Sequence, residues 1–339
     1  MDIEESWQQR YVKIKEQALQ QQVEIDATRF GLERFGTDSN LLNFYTGFKD
    51  YNMLKDFFHS LAPQAMRMTT WKQKQRASLT PLANPKSEKL QLIDQLFLFL
   101  CRIKLGLFEQ DIAVRFNIST ATVSRILITW ANFLYVMLGA LPIWPCMKAV
   151  KSKMPDRFKK TFPNTHVILD CTEIRVQTPS SKVLHSEIYS HYKSHATLKG
   201  LFGITPDGSV SFVSSLYAGS ISDIEITKRS GILDLLEEGD QVMVDKGFPI
   251  ENILDSKKCS LVMPPFLRAN AQFSKDEVTE TQKIARLRIH VERAIRRVKE
   301  YHIFDRVIPL TLSGSINQIW TICCLLTNFR GPLYDPVNE

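Results

Sequence analysis

Two short apolar runs constrain this chain more than any other feature. Residues His166–Asp170 read HVILD, and Gln241–Asp245 read QVMVD. Each is too short for a helix, rich in β-branched residues, and closed by a carboxylate. A run with no polar alternation predicts a short buried strand. The surrounding residues agree. Glu173–Gln177 alternates, and Ala196–Thr205 with Ser209–Tyr217 reads as a hairpin about Pro206-Asp207-Gly208. A helix is expected over Asp223–Leu236, a further strand over Ser260–Met263, and two helices over 276–300 and 314–328. Strands interleaved with helices in this way describe one α/β domain.

Upstream, the pattern is helical. Residues 5–27 are polar and Gln-rich without Pro or Gly, and predict a solvated helix. Val12, Leu19 and Val23 give only a broken apolar stripe, so a coiled coil is the weaker alternative. Residues 28–78 form an aromatic-rich helical patch, with a helix-start signal at Thr37-Asp38-Ser39-Asn40. Two prolines and small polar residues mark a linker over 79–88. A basic connector follows the helices at 146–164, with Lys148, Lys151, Lys153, Arg157, Lys159 and Lys160. Such a run is ordinarily a solvated face; its position also suits contact with phosphates.

Within 89–140, the stretch Phe108–Trp130 has its own grammar. Ile112, Ala113 and Phe116 share one helical face, and Asn117 tolerates the left-handed geometry of a tight turn. Ser119 caps a second helix, with Val123, Ile126 and Leu127 inward. Two short helices around a tight turn are a helix-turn-helix. The second would present Thr120, Thr122, Ser124 and Arg125, residue types that contact phosphates or base edges. An ordinary helical hairpin is the competing reading.

The chemistry-bearing candidates are carboxylates. Asp170 and Asp245 end apolar strands, at the sheet edge where α/β domains place their ligands; a lone Asp there is also a common turn residue. On the long C-terminal helix, Ile284, Leu287, Val291, Ile295 and Val298 predict the core face. Arg288, Glu292 and Lys299 share one side beside it. Taken alone that stripe is an ion-paired surface. An acid among so many arginines also suits a phosphodiester site, with cations to hold phosphate. Asp223, in Ala218–Asp223 (AGSISD), is the rival for the second acid, although N-capping explains it as well. His191, Lys193 and His195 form a surface loop that could touch DNA.

Composition fits a basic globular chain. Of 339 residues, 43 are Lys or Arg against 36 Asp or Glu, a formal charge of +7. That balance suits a polyanionic partner. Six cysteines without CxxC spacing exclude a disulfide scaffold. The first ten residues hold no apolar signal core, and Leu96–Cys101 and Ile319–Leu326 are far below the roughly 20 residues a span needs. A soluble intracellular chain without a membrane is expected.

These pieces together resemble a PIF/Harbinger-type DDE transposase of the DDE superfamily endonuclease class, related to the insertion-sequence-5 group. The resemblance is carried by VILDCTEI at 167–174, by the stretch from Ser186 to Ile226, by VMVDKGF at 242–248, and by the spacing of Arg288, Glu292 and Lys299. The family often has DGT where this chain has Asp170-Cys171-Thr172, and Tyr where it has Ala285. The segment from Arg29 to Tyr51 resembles the region following a THAP zinc finger in some animal relatives; the finger's own Cys/His set is not found here.

The resemblance implies an RNase H-like mixed α/β sheet flanked by helices, preceded by an all-α helix-turn-helix domain. The implied division is a helical region over 1–82, helix-turn-helix over 83–145, connector over 146–164, catalytic domain over 165–330 and tail over 331–339. It implies Asp170, Asp245 and Glu292 as catalytic, metal-holding acids, with Asp223 as a supporting residue. DNA contacts would come from Thr120, Thr122, Ser124, Arg125, Arg288 and Lys299. It implies two divalent cations, Mg²⁺ or Mn²⁺, because hard oxygen ligands favour them. Double-stranded DNA, as transposon ends and target, is the implied partner. A homodimer or higher oligomer and a separate DNA-binding protein are compatible, with nuclear as well as cytoplasmic residence. A domesticated, non-catalytic DNA-binding or adaptor protein is the alternative. A nuclease acting on RNA or hybrid is a weaker third, since a helix-turn-helix favours duplex DNA.

Overall fold

A computed structural model describes residues 2–68, 90–264, 275–331 and 333. The expected linker over 79–88 and the end of the aromatic patch lie outside the described residues. The chain divides into two compact units, Met1–Trp130 and Ala131–Glu339.

The first unit is helical: α1 (Asp2–Thr28), α2 (Leu32–Phe35), α3 (Ser39–Thr46), α4 (Tyr51–Ala65), α5 (Leu92–Leu105), α6 (Glu109–Arg115) and the first half of α7 (Thr120–Gly139). The helix-start signals act as read: the Asp38 carboxylate accepts from the Asn40 and Leu41 amides, and Asp50 caps α4 through Met53. Leu96–Cys101 of α5 are all fully buried, so this helix is the centre of the unit. Phe30, Phe35 and Tyr45 from the N-terminal region and Phe97 and Phe116 from the helix-turn-helix region form one aromatic cluster, with centroids 4.6–6.3 Å apart. The regions that the sequence separates near residue 82 therefore share a core. Along α1, Trp7, Tyr11, Val12 and Leu19 are all more than half exposed, as a solvated helix requires.

The second unit holds α8 (Met147–Lys153), α9 (Asp156–Thr161), β1 (Thr165–Arg175), α10 (Lys182–Ile188), β2 (Tyr189–Ser190), β3 (His195–Ile204), β4 (Val210–Val213), β5 (Tyr217–Ala218), α11 (Asp223–Arg229), β6 (Gln241–Met243), α12 (Glu251–Asp255), β7 (Ser260–Val262), α13 (Lys275–Lys299) and α14 (Ile316–Leu326). The sheet runs β2-β3-β1-β6-β7, with β4 and β5 also on β3. β1 pairs antiparallel with β3 and parallel with β6, so the sheet is mixed.

Three readings need correction. HVILD does not end a strand at Asp170: β1 continues to Arg175, because β3 pairs with it from Ile168 to Arg175. The helix expected to Leu236 stops at Arg229, where Gly231 turns left-handed at φ 84° before a single 3₁₀ turn. The basic connector is helical. Phe158 of α9 is fully buried against α13, with its ring centroid 6.4 Å from His290.

Alternation along β1 splits the domain's interior. Val167, Leu169 and Cys171 face a core with Val242, Val244, Ile226, Phe248 and Leu254. The other face lies under α13 and α14; Trp320 of α14 stands where a Cβ on Gly200 would be, 2.9 Å away. At the start of β1, a bulge sets two residues, Thr165 and His166, against Gln241 alone. His166 is buried there, with Nδ1 2.9 Å from Asp240, Nε2 2.9 Å from the Pro145 carbonyl, and its ring stacked on Trp144 at 4.4 Å.

Candidate active site

The parallel register builds the site. Ile168 pairs with Met243, so Asp170 and Asp245, each two residues on, come side by side. Both continue the face of the sheet opposite the Val167–Leu169 core, and that face looks at α13. β6 ends at Met243, which leaves Asp245 in a turn, about half exposed, while Asp170 stays within β1.

α13 supplies the rest. Its expected core residues Ile284, Leu287, Val291, Ile295 and Val298 are all buried. Arg288 is not the surface residue that the helical stripe suggested: it is 6% exposed. It sits on the boundary between core and solvent faces, and the sheet covers it. Its Nη1 donates to Asp245 Oδ1 at 2.6 Å, and Nη2 lies 4.0 Å from Glu292 Oε1. Among the described residues, its Nε has no hydrogen-bond partner. Glu292 itself is well exposed.

Asp170 feels these groups. Burial, with Asp245 and Glu292 nearby, pushes the Asp170 carboxyl up to about 6 against the pull of Arg288 and the Cys171 amide. Burial and the Lys193 ammonium lower Lys299, while Asp170 and Glu173 oppose them. Three acids and two cations thus share one neighbourhood at the β1–α13 contact.

Asp223 belongs elsewhere. It opens α11 after the Ser222 cap and pairs with Lys199 at 2.9 Å. Burial and the neighbouring Asp223 carboxylate push the Cys171 thiol up, and Cys171 points to the opposite face of β1 from Asp170. Glu173 accepts from Thr197 Oγ1 at 2.6 Å, a structural contact.

The donor set suits a hard divalent cation: three carboxylates, one of them hard to keep ionised without a neighbouring positive charge. Among the described residues, no three His, Cys, Asp or Glu side chains already stand close enough to hold an ion. The guanidinium of Arg288 is the cation on Asp245 in this arrangement.

In the first unit, the helix-turn-helix forms as read at its turn. Asn117 is left-handed at φ 50°, and Ser119 Oγ accepts from the Thr122 amide at 3.2 Å. Thr120 and Arg125 are exposed, Thr122 and Ser124 half-buried. Arg125 folds back on its own helix, to the Ala121 carbonyl and Thr122 Oγ1, both at 2.9 Å. The second helix is not short: α7 runs 20 residues. By length and composition alone it could cross a membrane, a property that the apolar-run argument missed. Val123, Ile126, Leu127 and Trp130 bury its inner side.

Sequence reasoning missed the bulge at His166 and the burial of Arg288. It named His191, Lys193 and His195 but passed over Tyr192, the most exposed aromatic of that loop.

Two family models match. Residues 169–328 match the DDE superfamily endonuclease, and residues 88–140 match the helix-turn-helix of DDE superfamily endonuclease. None of the curated proteins matches this chain significantly. The mixed sheet flanked by helices is the RNase H-like architecture expected of that class.

Proposed function

This chain carries a DDE superfamily endonuclease domain together with that class's helix-turn-helix, and from that premise we propose a metal-dependent enzyme of transposase type that cuts and joins DNA. Asp170, Asp245 and Glu292 form its catalytic centre. The observation that carries this reading is the register that sets Asp170 beside Asp245 on the face looking at α13, with Asp223 on the other.

The three acids would hold Mg²⁺ or Mn²⁺, which when bound would activate water and neutralise charge building on the phosphodiester. Arg288 and Lys299 flank the acids and orient the phosphate, Arg288 by moving its fork from Asp245 to a phosphate oxygen. Hydrolysis leaves a 3′-hydroxyl and a 5′-phosphate. In a transposase, that hydroxyl then attacks a target strand. The helix-turn-helix, through Thr120, Thr122, Ser124 and Arg125, grips duplex DNA. The motifs quoted above favour the PIF/Harbinger branch, and nuclear work accompanies a DNA substrate.

The Arg288–Asp245 ion pair is the one observation that favours the alternative, a non-catalytic DNA-binding or adaptor protein. Nicking of labelled DNA carrying candidate element ends, with and without Mg²⁺, separates the two. Metal-dependent nicking supports the enzyme. Tight binding without nicking under any metal supports the adaptor.

A further inference from the structure

The hairpin that joins β2 to β3 is absorbed by neither the fold nor the proposed chemistry. Its strands pair Tyr189 with Ala196 and Ser190 with His195. Between them, the turn His191-Tyr192-Lys193-Ser194 is held by its own bonds. The Ser194 amide donates to the Ser190 carbonyl at 2.8 Å, the Lys193 amide to Ser190 Oγ at 3.2 Å, and Ser190 itself is buried. Ser194 adopts the left-handed region at φ 58°, which fixes the turn further.

This fixed turn presents Tyr192 outward at 85% exposure. The Lys193 ammonium lies 4.5 Å from the centroid of that ring. Behind it, His185, Tyr189 and His191 stack edge to face at 5.3 and 5.4 Å and brace the hairpin. Lys193 and Lys299 are close enough to repel each other, which ties the loop to the cationic edge of the carboxylate site.

We propose that the 191–194 turn is a stacking site for an unpaired nucleotide of the DNA substrate, with the Tyr192 ring against the base and Lys193 on the adjoining phosphate. The site rests on the DNA-processing reading and deepens it. A base inside a duplex already has both faces stacked, so an exposed ring with a cation beside it fits a strand whose bases are free. The sheet fixes the distance. His195 lies seven residues along β3 from Phe202, the partner of Asp170. At about 3.3 Å per residue, His195 at the base of the turn is about 23 Å along the strand from that partner of the acid. The contact therefore falls on the flank of the cut, not on the scissile linkage.

The test is binding alone, in EDTA, with the full chain. Fluorescence anisotropy would compare a labelled oligothymidine with a blunt duplex of the same length. Tyr192→Ala should weaken the single strand roughly 5- to 150-fold, the stacking of one base, and leave the duplex unchanged. Tyr192→Phe should behave as the parent chain. Lys193→Gln should flatten the salt dependence by about one charge. A 2-aminopurine base in the single strand should be quenched by the parent chain and by Tyr192→Phe, and not by Tyr192→Ala. The proposal is overturned if Tyr192→Ala binds and quenches like the parent, if it loses both probes equally, or if the parent does not bind the single strand. Because nicking is not read, a chain that stacks a base yet never cuts would sink the nuclease reading and leave this one standing.

Discussion

Replacing Asp170 by Asn should make the metal-free protein more stable at neutral pH and leave it unchanged in acid. The Asp170 carboxyl moves from its ordinary 3.8 up to about 6, because it is buried and faces Asp245 and Glu292. A shift of that size is worth about 3 kcal/mol. The native chain holds this proton between about pH 4 and pH 6, where the unfolded chain has released it. Stability therefore falls as pH rises through that window and stays low above it. Asn copies the protonated carboxyl and carries no charge at any pH. The variant should match the parent near pH 4 and exceed it by about 3 kcal/mol near pH 7. At about 2–4 °C per kcal/mol for a unit of this size, the gap in melting temperature is about 6–12 °C. Thermal melts in EDTA across this range, parent against variant, cancel the titration of groups remote from Asp170. Adding Mg²⁺ near neutral pH should raise the parent more than the variant, since binding to the native site is linked to stability. Parallel pH profiles for the two chains, or a variant weaker near pH 7, would refute the claim that Asp170 is an acid crowded by its partners.

Asp245→Asn removes an exposed carboxylate without altering its shape, so Mg²⁺-dependent nicking should fall by orders of magnitude while affinity for DNA holds or rises; equal nicking by parent and variant would exclude Asp245. Arg125→Ala should weaken duplex binding by roughly 1–3 kcal/mol if the fork leaves Ala121 and Thr122 to read a base, or flatten the salt slope by about one if it grips a phosphate; unchanged affinity at low and high salt would reduce the motif to a helical hairpin. Gly219→Ala would set a methyl 2.0 Å from Thr197 Oγ1 and 2.8 Å from the carbonyls of Ile188 and Thr197. That substitution should lower stability by at least about 1–3 kcal/mol in a chemical denaturation curve, and a neutral result would mean that the β5 edge is loosely held.

What the sequence made legible was whatever local chemistry decides. HVILD and QVMVD declared themselves because no alternating polar residue interrupts them, and the strand register then carried their acids together. Asn117 and Ser119 marked the turn between α6 and α7 because left-handed geometry and capping are properties of single residues. Features set by distant partners were not legible. β1 runs past Asp170 only because β3, some thirty residues on, pairs with it. Arg288 looks like one more surface arginine on a helical wheel, and only the sheet in front of it makes it buried. Asp245 and Asp223 compete for the second acid in one dimension; the register of Ile168 with Met243 puts Asp245 on the face of Asp170, while Asp223 meets Lys199 on the face of Cys171. Tyr192 was passed over because exposure in a hairpin turn follows from its packing and not from its neighbours in sequence.

The bulge at His166 divides β1 into two regimes of tolerance to changes in chain length. With Thr165 opposite Gln241, an unbulged strand would bring Leu169 level with Asp245 and turn Asp170 toward the apolar core. The extra residue puts the acids in phase, and buried His166 holds it, with Nε2 2.9 Å from the Pro145 carbonyl and its ring stacked on Trp144. A residue gained or lost between 166 and 170 would invert the phase and hide one acid from the other. Residues gained or lost before Thr165, in the turn that leaves α9, would leave the pairing of Asp170 with Asp245 intact. Insertions and deletions in chains built on this plan should therefore accumulate up to residue 165 and stop there.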